Sequence, residues 1–286
     1  MNFWETALDA LIDSALDTLK VAPFLFLIYL AMEFIEHKAG DKTKELLARS
    51  GRVGPVLGGL FGCVPQCGFS AACSGLYAGG VITVGTLFAV FLSTSDEMLP
   101  IMISGGVPAL TILKIVGTKA LIGIVVGVVI DLILRPKTDV SHIHDLCEHG
   151  HCHCEHGIFR SALHHFVEII IYIFLFSFAV DLAIGLIGEE TISTLFINVP
   201  VVGSLISAAV GLIPNCAASV VITDLYVNGI ISSGVMMSGL LVGAGIGLFV
   251  LFRSNKSKKQ ALVITGALYA VGVVVGVVID LIGITF

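Results

Sequence analysis

The chain has 286 residues, 56% of them hydrophobic, with a mean hydropathy of +1.02 and a formal net charge of −6. Hydropathy that high excludes an ordinary soluble domain and predicts an all-α polytopic membrane protein. No basic patch points to nucleic acid, and seven cysteines, an odd number, argue against a secreted disulfide framework.

The N-terminal stretch MNFWETALDALIDSALDTLK lacks the basic region of a secretory signal. Glu5, Asp9, Asp13 and Asp17 recur every four residues with Trp4, Leu8, Leu11 and Leu19 between them, which predicts an amphipathic helix with a solvated acidic face. Apolar runs follow at Val21–Ile35, Val81–Ile103, Ala120–Leu134, Ile169–Ile187, Ile230–Phe252 and Ala261–Ile284. Most approach the roughly 20 helical residues needed to cross a bilayer.

The chain also repeats itself. GCVPQCGFSAACSGLYAGGVITVG (62–85) aligns without gaps to GLIPNCAASVVITDLYVNGIISSG (211–234), a shift of 149 residues. Pro65/Pro214, Cys67/Cys216, Ser70/Ser219, Tyr77/Tyr226 and Gly80/Gly229 pair, and Gln66 meets Asn215. The same shift lays GIVVGVVIDLI (123–133) on GVVVGVVIDLI (272–282), pairing Asp131 with Asp280. Two membrane repeats, 1–134 and 161–286, are therefore expected around a loop at 135–160. Proline removes a helical amide donor, so Pro65 and Pro214 predict broken or re-entrant half-helices and would free the carbonyls of Phe61 and Val210. With about five segments per half the repeats are expected to be inverted, and an inverted arrangement places most lysines and arginines on one face. Inverted repeats with broken helices are a sign of secondary transporters.

Ionisable groups inside a membrane are expensive and default to function. The stretch LSTSDEMLP (92–100) puts Asp96 and Glu97 beside Ser93, Thr94 and Ser95, with Pro100 as a further expected break. The Pro–amide–Cys device adds Gln66, Cys67, Asn215 and Cys216, and Asp224 is the acid of the second half. These residues, with Thr94 as an accessory member, are the expected transport site, with oxygen ligands that suit Mn²⁺ and thiolates that add softer character. Cys63 is an accessory candidate, whereas Cys73 is expected to pack as a small hydrophobe. For Asp131 and Asp280, near helix ends beside GxxxG steps, structural hydrogen bonding and proton coupling both fit. The loop HIHDLCEHGHCHCEH concentrates His142, His144, Cys147, His149, His151, Cys152, His153, Cys154 and His156. It matches no closed zinc-finger spacing, so it reads as a metal-capturing, buffering or sensing loop.

With its paired Pro-x-Cys segments, the STSDE stretch at 93–97 and the central His/Cys loop, the chain resembles a family of ten-helix heavy-metal exporters. Members of that family are labelled arsenic-efflux permeases or manganese transporters. The resemblance implies ten membrane segments, five per half, and efflux rather than uptake.

The expected function is secondary-active, proton-coupled export of a divalent transition metal, Mn²⁺ ahead of Fe²⁺, Zn²⁺, Co²⁺ and Cd²⁺. Efflux of trivalent arsenicals on Cys63, Cys67 and Cys216 is the alternative, and a membrane thiol oxidoreductase using Cys63 and Cys67 is a weaker one. No P-loop motif appears in the chain, and neither catalysis nor a resident cofactor is expected. The expected partners are the lipid bilayer and the metal ion, a homodimer being compatible, in a prokaryotic inner membrane.

Overall fold

The computed structural model describes residues 3–38, 53–63, 67–95, 98–134, 200–255 and 257–286, with helical positions scattered between 159 and 182. Among the described residues the chain is helical, without strands. The first half contains α1 (Phe3–Lys38), α2 (Gly54–Gly62), α3 (Cys67–Ala78), α4 (Val84–Ser93), α5 (Met98–Ser104) and α6 (Ala109–Leu134). The second contains α7 (Pro200–Gly211), α8 (Cys216–Val227), α9 (Ser233–Val242), α10 (Ile246–Ser254) and α11 (Lys258–Ile282). The 149-residue shift carries the ends of α3 onto those of α8, and the ends of α4 onto those of α9. Four stretches of the described chain are long and apolar enough to cross a membrane: Val84–Ser104, Ala109–Leu134, Ser233–Ser254 and Lys258–Ile282. By length and composition these four stretches are consistent with a helical membrane protein.

The expected amphipathic segment and first span form one continuous helix, α1. Asp9 and Asp13 are exposed as expected, but so are Leu8, Leu11, Ile12, Leu16 and Leu19. The buried stripe is Thr6, Ala10 and Ser14, because small side chains let helix backbones approach while leucines face outward. Phe26 of α1 meets Phe159 and Phe166 edge-on, with ring centroids 5.6 and 5.4 Å apart.

The centre is built from α9, buried along its whole length, and α4, buried from Gly85 to Ser93. Long helices α6 and α11 cover them on one side only. On α6 the buried stripe is Ile115, Lys119, Gly123 and Gly127, while Leu113, Leu121, Val125 and Leu132 face outward. On α11 the corresponding stripe is Ile264, Leu268, Gly272 and Gly276. The i, i+4 spacing puts each set on one helix face.

Close glycine contacts fix helix directions. Gly54 and Gly58 of α2 lie against Thr86, and Gly62 lies against Ser93, so α2 runs in the same direction as α4. Gly127 faces Gly85 and Gly123 faces Ala89, so α6 runs opposite to α4. Since α2 and α4 begin at one level and end at another, the intervening α3 must return. The α2–α3 pair is therefore a helical hairpin, the two helices running in opposite directions. The second half repeats this: Gly211 abuts Gly239, Ser238 Oγ donates to the Ser204 carbonyl at 2.6 Å, and Gly276 faces Gly234.

Local chemistry closes both hairpins alike. Gly80 and Gly229 have φ of 74° and 70°, the left-handed conformation that favours glycine. Val81 N–H donates to Leu76 O and Gly80 N–H to Tyr77 O; Ile230 to Leu225 and Gly229 to Tyr226 repeat the pattern. This paired bonding ends α3 and α8 with a Schellman turn. Thr83 and Ser232 then cap α4 and α9, accepting from Thr86 N–H and Val235 N–H.

The halves exchange elements. In the second half α10 packs along α3 of the first, where Ser70 Oγ donates to Ala244 O at 3.0 Å and Ser74 Oγ to Gly247 O at 2.7 Å. In return α5 packs on α8, Gly105 lying against Val227.

Candidate functional site

Each half breaks its central helix at a matching point. In the first half α4 stops at Ser93, and α5 resumes at Met98. In the second, α9 stops at Val242, and α10 resumes at Ile246. The expected break at Pro100 falls just before it, between α4 and α5, and the proline is the third residue of α5. A first-turn proline lacks only an amide that has no helical partner anyway. Pro214 lies between α7 and α8, as expected. The carbonyl of Val210 is not free, however, since Ile213 N–H donates to it at 3.0 Å.

The two breaks meet on a side chain that was not among the expected site residues. Lys119, 1% exposed, donates from Nζ to the Thr94 carbonyl and to the Leu240 carbonyl, the latter at 3.0 Å. Thr94 is the C-cap of α4 and Leu240 belongs to the last turn of α9. A helix C-terminus carries roughly half a negative charge. Two such ends offset about one positive charge, which explains how an ammonium is accommodated this deep. The available signal was the repeat itself: the mate of Lys119 is Leu268, buried in the otherwise apolar stripe of α11.

Ser93, Thr94 and Ser95 are all buried at the same junction. Ser93 Oγ and Thr94 Oγ1 donate to Val90 O at 3.1 and 2.7 Å, and Ser95 Oγ donates to Ser93 O at 3.1 Å. Their hydrogens are directed to the backbone, leaving oxygen lone pairs as acceptors.

The second hairpin brings Asn215, 5% exposed, to a small cavity of about 10 Å³ lined also by Gly211, Ala218, Ser219, Gly239, Gly243 and Gly245. That is on the scale of one water-sized occupant. Nearby, Ser207 Oγ is buried with no hydrogen-bond partner among the described residues, where α7 meets Gly239.

The remaining expected residues divide clearly. Asp96, Glu97, Gln66 and Pro65 lie outside the described residues, as does the whole loop from His142 to His156. Cys67 and Cys216 are the first residues of α3 and α8, and their side chains lie outside the described set. Cys63 caps α2, half-buried, with Sγ donating to Gly59 O at 3.3 Å. Cys73 is buried in the apolar core, as expected of a packing residue.

Asp224 is not brought to the junction. It is exposed, accepts from Asn228 Nδ2 at 3.1 Å, and lies eight residues along α8 from Cys216, about 12 Å at 1.5 Å per residue. Asp131 and Asp280 are likewise away from the breaks, at the opposite ends of α4 and α9. Asp131 accepts from Thr83 Oγ1 at 2.6 Å and Gly85 N–H at 2.9 Å. Asp280 accepts from Ser232 Oγ at 2.7 Å and Gly234 N–H at 2.8 Å. Each carboxylate pins a helix start to its neighbouring long helix.

Among the described residues no three His, Cys, Asp or Glu side chains form a metal-holding group. What the described residues of the junction offer is backbone carbonyls and hydroxyl lone pairs as acceptors, the Asn215 amide as donor and acceptor, and the Lys119 ammonium. No protein-family model, curated protein or solved structure matches the chain.

Proposed function

We propose that the chain is a secondary-active exporter of a divalent transition-metal cation, Mn²⁺ favoured, working by alternating access between two inverted repeats. The observation that carries this reading is the convergence of two broken helices, one from each half, on one buried acceptor-rich junction. Hard and borderline divalent cations take oxygen ligands. Asp96 follows Ser95 directly in the chain, and with Glu97 would add the negative charge that carbonyls alone lack.

Inversion is supported by the helix directions. Gly105 at the end of α5 lies against Val227 at the end of α8, and α5 continues α4 past its break. Tyr77, at the end of α3, accepts from Gln260 Nε2 at 2.7 Å near the start of α11. Tyr226, at the end of α8, donates to the Phe286 carbonyl at 3.2 Å beyond the end of α11. Thus α3 and α10 lead toward one face, and α5 and α8 toward the other, with both breaks between. Arg253, Lys258 and Lys259 share the first face with the start of α2, which the positive-inside rule makes cytoplasmic. In this frame the two hairpins are re-entrant, with α1 as the first span of the first half and the stretch holding the described helical positions between 159 and 182 as its counterpart.

The test is flux into proteoliposomes with a panel of Mn²⁺, Fe²⁺, Zn²⁺, Co²⁺, Cd²⁺ and arsenite. Mn²⁺ transport is expected, reduced at least about tenfold by Asp96→Asn and several-fold by Asn215→Ala, with smaller effects for Asp224→Asn. A tenfold loss corresponds to about 1.4 kcal/mol of ion stabilisation. Transport of no divalent metal, or an Asp96→Asn protein as active as the parent, would overturn the reading.

Trivalent arsenicals are the second reading, favoured by the placement of Cys63, Cys67 and Cys216 at the two hairpin tips. Replacing Cys67 and Cys216 by serine should abolish arsenite movement but only alter selectivity of a manganese exporter. Cys73→Ala, away from the tips, should leave flux within about twofold under either reading, at a packing cost of about 1 kcal/mol.

A further inference from the structure

Lys119 adds a fixed positive charge where a cation exporter would be expected to bind its cargo. Among the acceptors of the ammonium are the carbonyls of Thr94 in the first half and Leu240 in the second. Both lie at negative helix ends, the electrostatics that would favour a metal ion at the same point. The position is reached by a flexible four-carbon stem from α6, a helix that traverses the bundle unbroken. Only the first half supplies it, since Leu268 occupies the matching place.

On the exporter reading above, we infer that Lys119 is a tethered cation that occupies the transport site in the absence of cargo, and that the exported metal must displace its ammonium from the Thr94 and Leu240 carbonyls. A single side chain then does two things. It neutralises the helix ends when no metal is bound, so that the empty site does not remain as an uncompensated negative cavity. It also bridges α4 and α6 of one half to α9 of the other, so metal entry releases a contact that holds the halves together. Cargo binding is thereby coupled to rearrangement through competition for the same two oxygens.

Two substitutions of opposite sign test this on the full-length protein in proteoliposomes, with Mn²⁺ as the probe. Lys119→Met keeps the stem and removes the competitor; its KM for Mn²⁺ should fall at least about tenfold, as the two carbonyls are freed. Lys119→Arg keeps a permanent charge with more donors, and its KM should rise at least about tenfold. Monodispersity on gel filtration and equilibrium Mn²⁺ binding accompany the flux curves. An unchanged or raised KM in a folded Lys119→Met protein overturns the inference. Should Lys119→Met not fold, Lys119→Arg decides alone, and parental affinity there overturns it as well. If the unsubstituted protein moves Mn²⁺ while the variants fail to separate, only the tethered-cation inference falls. If it moves no divalent metal, the exporter reading falls and takes this inference with it.

Discussion

Replacing Asp131 and Asp280 together by alanine should cost about 4 kcal/mol of unfolding free energy, about 2 for each site, because hydrogen bonds to a charged partner contribute about 1.5–3 kcal/mol. Each carboxylate accepts one hydroxyl and one backbone amide at the first turn of a buried helix. Alanine leaves Gly85 N–H or Gly234 N–H without that acceptor. The two losses should add, since Asp131 joins α4 to α6, Asp280 joins α9 to α11, and they share no partner. Asparagine should cost only about 1 kcal/mol per site, because one oxygen still accepts the amide bond. Reversible unfolding in mixed micelles measures both. The asparagine pair also separates two roles, since it cannot carry a proton. Parental flux in a stable double-asparagine protein identifies these acids as anchors, whereas flux lost at retained stability identifies them as proton carriers.

Those anchors show how far the repeat could be followed from the sequence. The 149-residue shift put Asp131 on Asp280, and the structure gives the two acids the same pair of donors. It put Gly80 on Gly229, and both hairpins end in the same left-handed turn. Such pairings are legible because specific polar and glycine requirements survive at matched positions while apolar neighbours vary. The direction of a short apolar helix is not written in hydropathy. Proline at 65 and 214 announced a break, but a hairpin and a kinked crossing share that signal. The distinction came from Gly62 lying against Ser93, and Gly211 against Gly239, at the same ends of paired helices.

The candidate site was less legible, for physical reasons that differ by residue. Ser93, Thr94, Ser95 and Asn215 were selected as polar groups in apolar surroundings, and the structure buries all four. Asp224 met the same criterion, yet α8 has only twelve residues, so an acid eight positions from its start reaches the exposed end. Pro100 is legible as a break because a proline is tolerated only in a helix's first turn, and α5 begins just two residues before it. Lys119 reads from the sequence only as a topology marker, outside the membrane or in its helix. Its comparison with Leu268 in the repeat, at a position flanked four residues away by Ile115 and Gly123, marks it as a cation placed in a packing stripe.

Substituting Gly211 by valine should destabilise the protein by about 3 kcal/mol or more, the upper range for overpacking a tight contact, and silence transport in what remains folded. A Cβ at 211 would collide with the carbonyl, carbonyl carbon and Cα of Gly239, all backbone atoms of a fully buried helix. Neither helix can yield without moving the Asn215 hairpin tip away from the α9 break. Gly62, its repeat mate, faces Ser93 Oγ as well as the Val90 carbonyl. A hydroxyl can rotate, so Gly62→Ala should cost less than Gly211→Ala, although valine should be damaging at either site. Gly117 and Gly266 provide matched controls on α6 and α11: each is exposed, and a Cβ there meets nothing within 4 Å. Alanine at those two positions should raise stability by about 0.5–1 kcal/mol each, the ordinary gain from replacing glycine inside a helix. The ordering Gly211 worse than Gly62, with Gly117 and Gly266 stabilising, is the pattern expected if the hairpin tips are held by backbone-to-backbone contact. Thermal unfolding in detergent ranks the four alanine variants directly, and equal costs at Gly211 and Gly117 would contradict that packing.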